Sequence, residues 1–337
     1  MPEQVPIYAT VETSKMMLLG SVYAGGVKLP PHRFKRVPVP AGDKDCTPMQ
    51  IGDLKVTAYP VDHSAFGAVA YLIELGGKRL FYTGDLRFHG RHSGMRERIV
   101  RDLRGKLDAM VIEGTNLGRD ASGLASEKAV ETRAAEECLA TSSLAMAAFS
   151  PQHLDRFVSF FRAAQASRRT FVCDHYMAAT LYMMNLPELP KPSARGPLSV
   201  YFPSRRNRIE KLERRFRSAA VTLDEIGAAP QQFIMLARPS LIEDFGGVLP
   251  SRTLLLYAMW AGYRQKPEWQ AAEALIAKAG GKIIDCHASG HAHPEDLFKF
   301  VEDLQPKRIA PVHTVSPQSY AERFPEADVI SESSFDL

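Results

Sequence analysis

The sequence predicts an α/β protein built in layers. Short, apolar, β-rich runs alternate with segments of helical period along most of the chain. Several of those runs stop at a histidine or an acidic residue, as in VIEGTN and RIAPVH. In α/β folds, ligands collect where strands stop. A length of 337 residues, 45% of them hydrophobic and 24% charged, holds one large or two ordinary domains with full cores.

The elements follow in order. IYAT opens as a strand, and ETSKMMLL carries a helical pattern. The Pro-rich segment LPPHRFKRVPVPAG reads as irregular. LKVTAYPV at 54–61 alternates and predicts a strand leading to His63. Val69–Leu75 and Arg79–Thr83 form a hairpin across Gly76-Gly77, with Asp85 just beyond its second strand. RERIVRDLRGK is a short helix or a loop, and LDAMVIEGTN is a buried strand ending at Glu113.

Beyond residue 122, helices alternate with short strands. Ser126 is the N-cap candidate for the helix in SEKAVETRAAEECLATS, ahead of Ser122. LAMAAFS, RTFVCD, FIMLA, TLLLYA and KIIDC read as strands. HLDRFVSFFRAAQAS is an amphipathic helix with Leu154, Phe157, Val158 and Phe161 on one face. HYMAATLYMMN, Gln270–Ala279 and PEDLFKFVEDL are further helices, and RIAPVH is the last core strand. No internal repeat or low-complexity linker interrupts the pattern.

Composition excludes some classes. No run of about 18 apolar residues exists, so no transmembrane helix and no membrane partner is expected. The opening MPEQVPIYATVETSK lacks the basic start and apolar core of a signal peptide. Cys46, Cys138, Cys173 and Cys286 are scattered and form no CxxC pair, which suits free thiols in a reducing cytoplasm. A net charge of +4 is compatible with an anionic ligand and demands none. The densest basic stretch, SRRNRIEKLERRFRS, would set Arg205, Arg208 and Lys211 along one helix side and Ile209, Leu212 and Phe216 along another. It reads as a solvated helix; the functional alternative is a phosphate-contacting face, with Tyr201 or Phe202 as a base-stacking platform.

The segments VDHS, GDLRFHG, VIEGTN, SGHAHPEDL and APVHT, in this order, resemble the motif series of the β-CASP group of metallo-β-lactamase enzymes, which includes ribonuclease J and the polyadenylation endonuclease. The resemblance covers nearly the whole chain, and AFSPQHLDRFVSFFRAAQASRRTFV is similar to the first strand-helix-strand unit of that group's inserted domain. It implies a metallo-β-lactamase αββα sandwich, N-terminally incomplete, with an inserted α/β β-CASP domain. The expected boundaries are 1–120 for the first part of the sandwich, 121–280 for the insertion and 281–337 for the closing part.

The resemblance also implies roles. His63 would bind a first metal, Asp85 would bridge two metals and His313 would bind the second. Glu113 would support the site from behind. His291 would assist proton transfer or steady the scissile phosphate, and His287, Ser289 and Gly290 would hold a substrate phosphate. His313, where DNA-processing members tend to carry valine, points to RNA as the partner. The remaining histidines, His32, His89, His92, His153, His175 and His293, read as structural; His89 and His92 follow the Asp85 loop without an assigned task.

These residue types suit the chemistry. Neutral imidazoles and carboxylates match zinc first and manganese second. Two metals about 3.5–4 Å apart can activate water and clamp a phosphodiester. A nearby histidine can protonate the leaving oxygen, and the amides of a Ser-Gly turn can approach a phosphate.

One departure stands out. The group's main metal motif, HxHxDH, occurs nowhere in these residues, and normally lies upstream of a segment like PIYAT. With His63, Asp85 and His313 alone, each metal has two protein ligands, whereas catalytic zinc usually takes about three. The expectation is therefore an RNA phosphodiester hydrolase impaired in this chain, with reduced metal occupancy. A misplaced start, a gene fragment and a natural inactive paralogue each account for it. Two other functions stay open: a non-catalytic RNA-binding or scaffolding paralogue, alone, as a homodimer or with a scaffold partner, and a small-molecule metallohydrolase acting on esters or thioesters.

Overall fold

The computed structural model describes residues 5–25, 30–40, 45–92, 94–119, 123–204 and 209–330. The chain divides into two compact units, one of residues 1–14, 29–122 and 289–337 and the other of residues 15–28 and 123–288. Residues 15–28 and 281–288 thus group with the 123–288 unit.

The first unit is built on a seven-stranded sheet. From one edge, its order is Asp328–Val329, Arg308–Val312, Ala109–Glu113, Lys78–Tyr82, Val69–Leu75, Leu54–Pro60 and Met49–Ile51. The hairpin forms where Gly76 and Gly77, with φ of 57° and 80°, supply the left-handed turn that keeps its strands in twist. Strand Lys78–Tyr82 then runs parallel to Ala109–Glu113, which runs parallel to Arg308–Val312. These three strands therefore end side by side.

One face of this sheet carries the core. Tyr59, Leu72, Phe81, Met110, Ile112 and Ile309 meet Ile99 and Leu103 of helix Gly94–Leu103 and Leu297, Phe300, Val301 and Leu304 of helix Pro294–Leu304. Burying each of these large side chains contributes about 1.5–3 kcal/mol. The registers place Tyr71, Leu80, Tyr82, Val111 and Val312 toward the opposite face, where Tyr82 is 42% and Val312 36% exposed. The Pro-rich stretch expected to be irregular holds a short strand, Phe34–Arg36, parallel to Ile7–Ala9. RERIVRDLRGK resolves as the helix Gly94–Leu103.

The second unit has a parallel six-stranded sheet in the order Leu198–Tyr201, Thr170–Asp174, Phe233–Ala237, Ala145–Ala148, Leu254–Tyr257 and Lys282–Asp285. Its central strands are buried along nearly their whole length, as their continuous apolar runs require. Ser126 caps helix Glu127–Ala140 by accepting from the Ala129 N–H at 3.1 Å. Helix Leu154–Ala166 is buried on more sides than one: Leu154, Phe157, Phe160 and Phe161 are covered, and so is Arg156. Helix Pro267–Lys278 starts three residues earlier than its apolar period suggests, because Pro267 is compatible with a first turn. Of the basic stretch, Arg205 and Arg208 lie outside the described residues; its helix spans Glu210–Phe216.

Candidate metal centre

Four residues of the first unit converge. One ligand atom from each of Asp85, Glu113, His291 and His313 lies within 4.8 Å of the others. Parallel strand ends explain three of the four positions. Asp85 follows strand Lys78–Tyr82 through Gly84, whose φ is 56°; Glu113 ends its own strand; His313 follows Arg308–Val312. His313 itself holds a left-handed φ of 51°, uncommon for a side chain of its size. The Thr115 hydroxyl donates to its carbonyl at 3.3 Å and supports that conformation.

Glu113 is fully buried. Its carboxylate accepts from the Leu86 N–H at 2.8 Å, the Thr115 N–H at 3.2 Å and the His291 Nδ1 at 3.0 Å. Its carbonyl accepts from the Tyr320 hydroxyl at 2.6 Å, and its N–H donates to Thr83 Oγ1 at 3.3 Å. Burial lowers the pKa of His291, but its hydrogen bond to Glu113 and the charges of Glu113 and Asp85 outweigh that, and the net direction is upward.

Asp85 and His313 are the open side of the cluster. His313 Nδ1 lies 2.9 Å from Asp85 Oδ1, with side chains 57% and 39% exposed. His63 stands beside the cluster, not in it. Its ring centroid is 5.1 Å from that of His291, and its Nδ1 donates to the Gly290 carbonyl at 2.6 Å. Burial and the neighbouring His291 lower its pKa, so the ring is held neutral.

The loop from Ser289 to Ala292 is pinned through its carbonyls. Asn116 Nδ2 lies 3.1 Å from the His291 carbonyl, 2.9 Å from that of Ala292 and 3.0 Å from Ser289 Oγ. Ser289 Oγ accepts from the His291 N–H at 3.1 Å. A Cβ at Gly290 would come within 2.7 Å of Ser64 Oγ, so this position favours glycine. Asn116 escaped the sequence reading; its only signal is its place two residues beyond VIEG. His287 belongs to the second unit, where its Nδ1 lies 3.3 Å from the Ala258 carbonyl and 3.5 Å from Arg156 Nη1.

The donor set fits a divalent metal. Two carboxylates and imidazoles suit zinc or manganese. His63 gives Nδ1–H to the Gly290 carbonyl, the pairing that fixes its tautomer and leaves Nε2 as a donor atom for a metal.

Residues 278–327 match the RMMBL family, described as the Zn-dependent metallo-hydrolase RNA specificity domain. The match supports a metallo-β-lactamase-family hydrolase. The mixed α/β architecture is consistent with that fold type. A protein of unknown function from Enterococcus faecalis V583 has a similar crystal structure, with a TM-score of 0.76 and 21% identity over 99% of this chain and 75% of that one. At that identity the likeness concerns the fold. No curated protein matches the chain. Among the described residues, no helix is long and apolar enough to cross a membrane.

Proposed function

We propose that this chain is a metal-dependent RNA phosphodiester hydrolase of the β-CASP type. The observation that carries the reading is the convergence of Asp85, Glu113, His291 and His313 within 4.8 Å. The RMMBL match over 278–327, which includes His287, Ser289, Gly290, His291 and His313, supports RNA as the substrate class. In this reading the unit with the six-stranded parallel sheet, residues 15–28 and 123–288, takes the part of the β-CASP insertion.

In this reading Asp85 and His313 hold zinc, with manganese the alternative, and His63 Nε2 adds a ligand. The metal would supply Lewis-acid stabilisation and an activated water. The residues of the chain do the rest. Glu113 holds the His291 Nδ1 proton, orients the ring and favours its protonated form. His291 Nε2 can then give a proton to a leaving oxygen. Ser289 and Gly290 meet a phosphate.

The test is cleavage of a single-stranded RNA by the zinc-loaded chain, beside Asp85→Asn. Cleavage that falls by about 100-fold or more in the variant supports the reading. RNA binding without cleavage in the wild-type chain favours a non-catalytic RNA-binding protein. Neither binding nor cleavage contradicts both.

A further inference from the structure

The buried pair Asp62 and Arg87 forms, with the half-buried His89, a clasp whose end point is one carbonyl of the Ser289–His291 loop. Arg87 is 1% exposed and Asp62 is 4% exposed. Arg87 Nε donates to Asp62 Oδ1 at 2.9 Å, and the Arg87 N–H donates to the Asp62 carbonyl at 2.7 Å. The His92 N–H reaches Asp62 Oδ2 at 3.3 Å. From this anchor Arg87 Nη1 reaches the Ser289 carbonyl at 3.4 Å, and His89 Nε2 donates to the same oxygen at 2.8 Å. The His89 ring is held against the His293 ring, their centroids 4.4 Å apart.

The consequence follows from peptide geometry. The Ser289 carbonyl and the Gly290 N–H share one planar trans peptide and point in opposite directions. Holding the carbonyl inward on Arg87 and His89 turns the Gly290 N–H outward. Among the described residues that N–H has no hydrogen-bond partner, and Gly290 is partly exposed. The next peptide is fixed differently: His63 takes the Gly290 carbonyl, and the His291 N–H is spent on Ser289 Oγ. The Gly290 N–H is thus a backbone donor that the loop leaves for an anion.

We infer that Arg87 and His89, anchored by Asp62, are positioning residues that hold the Ser289–Gly290 peptide in the orientation that offers the Gly290 N–H to a substrate phosphate. This rests on the reading of the loop as a phosphate site. A burial role for Arg87 alone would not require two donors on one loop carbonyl. A burial role for His89 alone would not require its donor to be aimed at that oxygen.

The experiment uses the full chain, zinc-loaded and 15N-labelled, titrated with inorganic phosphate while the Gly290 amide resonance is followed. Three proteins are compared: wild type, His89→Phe and His89→Gln. Phenylalanine keeps a ring against His293 and removes the donor. Glutamine restores an N–H near the place of Nε2. The expected result is a downfield Gly290 shift in the wild type, phosphate affinity about three- to tenfold weaker in His89→Phe, and recovery to within about twofold in His89→Gln. Equal shifts and affinities in wild type and His89→Phe overturn the positioning role and leave the phosphate site standing. A wild-type Gly290 resonance that phosphate does not move overturns both. If His89→Phe fails to fold, His89→Gln decides: affinity within twofold of wild type supports the role, and a tenfold loss overturns it.

Discussion

His291 gives its Nδ1 proton to the buried carboxylate of Glu113 at 3.0 Å, so a side chain with no exposure sets the orientation of one that is partly open. The same carboxylate closes two backbone donors, Leu86 N–H and Thr115 N–H. Glu113 therefore joins three loops: the one after Asp85, its own strand end and the one that carries His291.

Glu113→Ala should destabilise the first unit by about 2–4 kcal/mol, because two buried N–H groups lose their acceptor. Glu113→Gln keeps one carbonyl oxygen and should cost less. Urea unfolding of the three proteins checks this ordering; equal midpoints would show that the carboxylate holds nothing.

In the second unit, Glu127 and Arg156 make a buried pair with side chains 1% and 0% exposed. Burial alone would raise the Glu127 pKa, but hydrogen bonds and charge from His153 and Arg156 hold it far below the ordinary carboxylate range. A depressed folded-state pKa gives stability that is present above the unfolded value of about 4.3 and is lost as pH falls toward the folded value. Glu127→Gln should cost about 3–5 kcal/mol at pH 7, since it leaves Arg156 buried without its counter-charge. The gap between wild type and variant should narrow from about pH 4 downward. Unfolding free energies measured from pH 7 to pH 3 check the sign; a gap that widens in acid would refute the pairing.

Gly90 lies against the Asp62 carboxylate with no room for a Cβ. Gly90→Ala should push Asp62 off Arg87 and cost about 1–3 kcal/mol. In an Asp62→Ala background, where the carboxylate is gone, the same change should cost at least about 1 kcal/mol less. A thermodynamic cycle measures the coupling, and strict additivity would mean that Gly90 and Asp62 do not constrain each other.

Local signals made part of this legible. The Gly76-Gly77 turn and its flanking β-rich runs identify the hairpin, and the runs that stop at Asp85, Glu113 and His313 mark the strand ends that the parallel registers bring together. The supporting shell was not legible. Asp62 and Arg87 stand 25 residues apart, and nothing in DHS or DLR announces a buried ion pair. Asn116 reaches residues more than 170 positions away. Phe34–Arg36 and Leu198–Tyr201 are strands of three and four residues beside prolines, too short to show a period. These are long-range pairings, and only the folded chain reveals them.

The account stands on a divalent metal held by Asp85 and His313. Zinc binding by calorimetry to wild type, Asp85→Ala and His313→Ala tests it most directly. The two side chains are 39% and 57% exposed, and a hydrogen bond between groups so open to solvent contributes about 0–1 kcal/mol to folding, so the variants should stay folded. The account predicts zinc bound by the wild type and at least about tenfold weaker binding in each variant. Absent zinc binding in the wild type, or unchanged affinity in both variants, would contradict it.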